Sequence, residues 1–236
     1  MDRGNKGSWP KPLLAMIEAS HSREAMQQFR NYELDERARG IFKEMSQGML
    51  TAVRPEGSSC VIMSALLATA LEEPLGTVVP VVAGALKLDG EYMYGSNGAV
   101  DGRRVFSENG ADWDGHCWIL LSHYIVDISL GRTARQGHCK PPLARRVLSV
   151  FGEHVGMIAL PDAEARKAGF LYLPRYVLTP DQVLANAGDA IHKFGLEDLE
   201  PKVLHPVFWP FGLSIWRAKA RSVSSKCTAV NQPGPR

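Results

Sequence analysis

Residues 114–129, Asp-Gly-His-Cys-Trp-Ile-Leu-Leu-Ser-His-Tyr-Ile-Val-Asp-Ile-Ser, constrain this chain more than any other stretch. Two runs rich in aliphatic and aromatic residues flank the polar pair Ser122-His123, which reads as two strands joined by a two-residue turn. That turn sets Leu121 opposite Tyr124, Leu120 opposite Ile125, Trp118 opposite Asp127 and His116 opposite Ser129. Side chains alternate along a strand, so His116, Trp118, Asp127 and Ser129 share one face. His116 and Asp127 become diagonal neighbours, roughly 7–8 Å apart at their Cα atoms. A slip of one residue would send Asp127 to the other face, so the arrangement depends on this register.

A second stretch, Gly57-Ser58-Ser59-Cys60 followed by Val61-Ile62-Met63-Ser64-Ala65-Leu66-Leu67, predicts a helix that opens at a cysteine and runs to about Leu71. Ser58 or Ser59 is the natural N-cap, its oxygen accepting a free backbone N–H of the first turn. Unpaired N–H groups and the helix dipole place partial positive charge at Cys60. A thiol there ionises more readily and becomes a nucleophile. The competing reading is a buried structural cysteine, a common fate of free thiols.

Cys60, His116 and Asp127 together supply a nucleophile, a base and a carboxylate to orient the base. Against this stands a satisfied core histidine beside an aspartate that ends a strand. The order of features resembles the transglutaminase-like superfamily, within the wider papain-like group. These features are a cysteine opening a helix, a Val-rich strand, Gly-His-x-Trp, and an aspartate ending the next strand. The resemblance covers about Gly57 to Gly131, and its residues here are Cys60, His116 with Trp118, and Asp127. It implies a helix packed on an antiparallel sheet and thiol chemistry at an amide or acyl carbonyl. The usual His-Ala-Trp is His116-Cys117-Trp118 in this chain. Residues 1–50 and 140–236 have no counterpart, so no substrate carries over. Uncharacterised bacterial branches of the superfamily are the nearest in pattern.

The expected fold class is α+β, with N-terminal helices and the cysteine helix packed on an antiparallel sheet. Residues 1–12, rich in Gly, Lys and Pro, are expected to be flexible. One domain is expected over 13–195, and an extension with a basic, mobile tail over 196–236. Helices are predicted over 13–29 with a break near Ser20-His21-Ser22, over 34–53, over 140–152, and from Thr179-Pro180 to about Phe194. Glu73-Pro74-Leu75-Gly76 should break the cysteine helix. Strands are predicted over 77–88, 91–94, 154–160 and 170–178, with Asp89-Gly90 as a hairpin turn. Residues 95–114 read as a loop near the site.

Composition removes several function classes. Of the net charge of +2, residues 217–236 carry +5, leaving −3 for residues 1–216. A nucleic-acid binder built on that tail is therefore disfavoured. No apolar run reaches the ~20 residues of a membrane span. The polar opening Met1–Pro12 lacks the apolar core of a signal peptide, so a cytoplasmic location with reduced thiols is expected. His116-Cys117 and His138-Cys139 suggest zinc, but adjacent strand residues point to opposite faces and there is no C-x-x-C, so no metal or other cofactor is expected. Cys117 is expected to point away from the site.

The expected function is a cysteine-dependent hydrolase or acyltransferase. It would act on an amide, peptide or acyl bond of a small-molecule or peptide substrate, through a thioester. A non-enzymatic binding domain on the same fold is the alternative. The backbone N–H of Cys60 is one oxyanion donor, with Gln47, Ser59 or Asn97 as candidates for the second. Trp113, Trp118 and the 95–114 loop are expected to line the substrate groove.

Overall fold

The computed structural model describes residues 9–53, 60–106 and 113–194. In chain order the helices and strands are α1 (Lys11–Ser20), α2 (Arg23–Asn31), α3 (Glu36–Ala52), α4 (Cys60–Leu75), β1 (Val81–Leu88), β2 (Glu91–Tyr94), α5 (Gly102–Val105), β3 (His116–Leu121), β4 (Tyr124–Asp127), α6 (Leu130–Arg135), α7 (Pro141–Phe151), β5 (Ile158–Pro161), α8 (Asp162–Lys167), β6 (Phe170–Val177) and α9 (Pro180–Phe194). The class is α+β, helices with an antiparallel sheet.

Local chemistry sets several boundaries. Ser22 Oγ accepts from the Ala25 N–H at 3.1 Å and starts α2, which explains the break after α1. Asp35 caps α3 in the same way, accepting from the Ala38 N–H at 2.7 Å. Thr179 Oγ1 accepts from the Gln182 N–H at 3.4 Å, with Pro180 opening α9. Helix α4 ends within the expected Glu73–Gly76 break, though a turn later than Leu71. Proline lies in the last turn of α4, and the chain leaves the helix at Gly76 with φ 61. Asp89 and Gly90, at φ 50 and φ 91, form the turn between β1 and β2.

The sheet is organised around β1. Strand β6 pairs with β1 along its length, from Val82↔Val177 to Leu88↔Phe170. Two strands share the other edge of β1: β3 pairs with Val81 to Gly84, and β2 pairs with Leu86 to Leu88. Strands β2 and β3 therefore lie end to end, with Ala85 at the interruption. Beyond β3 come β4 and then β5. The β3–β4 register is Leu121↔Tyr124, Leu120↔Ile125 and Ile119↔Val126, as the two-residue turn requires.

Helices cover both faces. On one side α3, α4 and α9 pack on Val81, Ala83, Cys117, Ile119 and Leu121. On the other, α1, α2, α6, α7 and α8 pack on Val82, Leu86, Trp118, Leu120 and Ile125. The alternation of these residues along β1 and β3 is the pleat made visible. Helix α4 is apolar on most of its circumference because α3, α9 and β3 all cover it.

Several boundaries differ from expectation. Within the expected flexible start, Trp9 is anchored, its indole Nε1 donating to the Ser122 carbonyl at 2.7 Å, and α1 begins at Lys11, while residues 1–8 lie outside the described residues. Strand β1 starts at Val81 and β5 at Ile158, later than their apolar runs suggest. The 95–114 loop contains α5, and α6 and α8 form where no helix was anticipated. The extension 196–236 lies outside the described residues.

Candidate active site

The hairpin register delivers Asp127 to His116. Asp127 ends β4 with no exposed surface, and its Oδ2 lies 2.5 Å from His116 Nε2. Its other oxygen, Oδ1, accepts from the Leu130 N–H at 2.9 Å and from the Ser129 N–H and hydroxyl at 3.2 Å each. The carboxylate thus holds the start of α6 with one oxygen and the imidazole with the other. A third group reaches Oδ2: the Tyr172 hydroxyl donates to it at 3.0 Å from β6. With Nε2 taken by Asp127, the ring nitrogen left for chemistry is Nδ1.

Cys60 is the first residue of α4 and is partly buried. Its thiol is held well below the usual thiol range. A hydrogen bond from the Cys117 thiol contributes most, and hydrogen bonding to His116 and its charge add to it, while burial acts the other way. Burial alone would lower His116, but the charge and hydrogen bond of Asp127, with Cys60 adding to both, raise it to about 10. Asp127 is held below the ordinary carboxylate value. Burial would raise it, and is outweighed by His116, the Leu130 N–H and Tyr172. The opposite directions of the two shifts favour a thiolate–imidazolium pair beside the Asp127 carboxylate.

Cys117 does not point away from the site, as had been expected. It lies on the face of β3 covered by α4, which is the side from which Cys60 arrives. Burial, then Cys60, pushes the Cys117 thiol well above its ordinary value, so it stays protonated and donates. His116 has the alternation of Trp118 and Leu120 and belongs to the opposite face. The two meet because His116 is the first residue of β3, opposite Gly84, at the point where β2 has already ended.

An aromatic shell fixes the imidazole. Tyr94, the last residue of β2, stacks on His116 with ring centroids 5.0 Å apart and planes 15° apart. Trp118 lies 6.3 Å and Tyr172 6.4 Å from the same ring. Gly84 lets β1, β6 and Trp118 close together: a Cβ there would strike the Leu173 carbonyl and lie 2.9 Å from the Trp118 indole. Tyr94 also walls a cleft of about 550 Å³ with Met93, Asp114, His138, Cys139 and Lys140.

The other expected site residues have the following surroundings. Trp118 is 1% exposed and serves as packing beneath His116 and Tyr172, not as groove lining. Trp113 is half-buried, packed edge-on against Phe106 at 5.3 Å, and Gly115 leaves room for its indole. Asn97 Oδ1 accepts from Tyr92 and Arg175 on the surface, and Gln47 is an exposed residue of α3. Both side chains are exposed. Ser58 and Ser59, the two N-cap candidates, lie outside the described residues. Among the described residues no group of three His, Cys, Asp or Glu side chains could hold a metal ion, and no helix is long and apolar enough to cross a membrane.

Sequence reasoning missed Tyr94 and Tyr172. A buried tyrosine needs a partner for its hydroxyl, which was a usable signal. What no local pattern supplies is that β6 and β2 both border β1 at His116. No family model, curated protein or solved structure matches this chain.

Proposed function

We propose that this protein is a cysteine-dependent hydrolase or acyltransferase of transglutaminase-like, papain-like type, acting on an amide, peptide or acyl bond. The observation that carries the reading is the buried His116–Asp127 contact at 2.5 Å, with a helix-opening cysteine facing the same imidazole.

Cys60 Sγ attacks the carbonyl carbon as a thiolate, forming a C–S bond and a tetrahedral oxyanion. The Cys60 N–H, in the first turn of α4 where helix N–H groups lack intrahelical partners, is the donor proposed for that oxyanion. As the intermediate collapses, protonated His116 gives its proton to the departing amine or alcohol and leaves a thioester. Neutral His116 then takes a proton from water or an acceptor amine, which releases the acyl group. Asp127 keeps the ring oriented throughout. No step needs a metal or an organic cofactor.

The test is labelling of Cys60 by a mild alkylating agent across pH, followed by mass spectrometry with activated acyl donors. Reaction well below the ~8.5 of a free thiol, and an acyl mass on Cys60 that is lost in Cys60→Ala, are expected. A Cys60 no more reactive than in the unfolded chain overturns the reading and leaves a binding domain as the better one.

A further inference from the structure

We infer that Tyr172 is a positioning residue for the proposed reaction, setting through its hydroxyl how strongly Asp127 holds His116. The inference rests on the reading of Cys60, His116 and Asp127 as a reacting triad.

Tyr172 lies opposite Leu86 in the β1–β6 pairing and is 3% exposed. Its ring meets Trp118 edge-on at 5.1 Å, which fixes the direction of the phenol. The hydroxyl donates to Asp127 Oδ2 at 3.0 Å, the same oxygen that His116 Nε2 contacts. Burial, then the charge and hydrogen bond of Asp127, push the phenol well above its ordinary range, so it remains a donor wherever the enzyme works.

Two donors on one carboxylate oxygen weaken each other, because each draws on the same electron density. Tyr172 therefore tempers the pull of Asp127 on the imidazolium. An untempered Asp127 would hold the proton of His116 more tightly and make the ring a poorer acid toward the leaving group. The titratable groups facing His116 are Cys60 from α4, Asp127 from β4, Tyr94 from β2 and Tyr172 from β6. Of these, Tyr172 is a neutral donor to the carboxylate oxygen that orients the ring.

The experiment compares the wild type with Tyr172→Phe and with 3-fluorotyrosine placed at position 172. The ring titration of His116 is followed by NMR, assigned with His116→Ala, and Cys60 alkylation is measured over the same pH range. Phenylalanine keeps the ring and removes the donor. It should raise the His116 titration by about 0.5–1 pH unit and slow turnover without a matching rise in KM. Fluorotyrosine is a stronger donor and should shift the titration downward. If Tyr172→Phe does not fold, the fluorotyrosine protein decides alone. Titrations that coincide with wild type overturn the positioning role while leaving the triad in place. A wild-type Cys60 without enhanced reactivity overturns both.

Discussion

At the scale of single residues, the coupled charges of Cys60 and His116 give stability a definite pH profile. Unfolded, the two groups titrate near 9.0 and 6.5; folded, the thiol is lowered and the imidazole raised to about 10. Where the pH lies above both the lowered folded thiol and the unfolded imidazole and below 9.0, the folded pair holds one proton, on His116, and the unfolded pair holds one, on Cys60. Equal proton counts mean no slope, so the contribution of the pair is flat there. Below 6.5 the unfolded state gains a second proton, and wherever the lowered Cys60 thiol is still ionised in the folded state stability falls with falling pH. Above 9.0 the unfolded thiol loses its proton while His116 keeps its own to about 10, so stability falls with rising pH. Cys60→Ala removes the compensation and should turn the plateau into a steady decline across the same window, measured by chemical denaturation at a series of pH values. Equal profiles for the two proteins would contradict the ion pair. Asp127→Asn should cut turnover by about 10³–10⁴-fold through a misassigned tautomer. It should also cost about 1–3 kcal/mol, because one amide oxygen cannot serve both the His116 side and the Ser129–Leu130 donors.

At the scale of elements, two connections hold the site together from outside it. Arg132 of α6 is a buried cation, 8% exposed, with its guanidinium lowered by burial. It donates to the Val53 carbonyl at 2.6 Å and to the Leu50 carbonyl, groups left unpaired at the end of α3. Since Asp127 caps the start of α6 and Arg132 caps the end of α3, one short helix links the carboxylate to the helix that precedes the cysteine segment. Arg132→Met should cost about 1–3 kcal/mol and speed hydrogen exchange at the last turn of α3. Unchanged exchange there would refute the capping role. Gly84→Ala should cost about 1–3 kcal/mol or more, read as a lowered midpoint of thermal unfolding, because the β1–β6 spacing must open around a Cβ.

At the scale of the molecule, the sheet separates two helical layers and the site crosses it. Cys60 arrives with the α3–α4–α9 layer, and His116 and Asp127 face the other layer. The passage is the interruption where β2 ends at Tyr94 and β3 begins at His116. Such a site exists only when both layers are assembled, so the layers should unfold together. Leu67→Ala in α4 and Leu143→Ala in α7, both fully buried, should each cost about 2–5 kcal/mol and lower one shared transition. Two separate transitions in either variant would show that the layers are independent.

Much of this was legible in the chain itself. The period-two pattern around Ser122-His123 determined the hairpin register, because only one register buries Trp118, Leu120 and Ile125 together. Placement of His116 beside Asp127 follows from that register alone. Small polar residues ahead of an apolar run likewise placed Cys60 at a helix start. The rest depended on contacts distant in sequence. Nothing local says that β6 lies along β1, so Tyr172, 45 positions beyond Asp127, was invisible as its partner. Nor does strand alternation say which face α4 covers, which is why Cys117 was expected to point away and instead supports Cys60. Alternation fixes which residues share a face, and only the packing of the layers decides what that face meets.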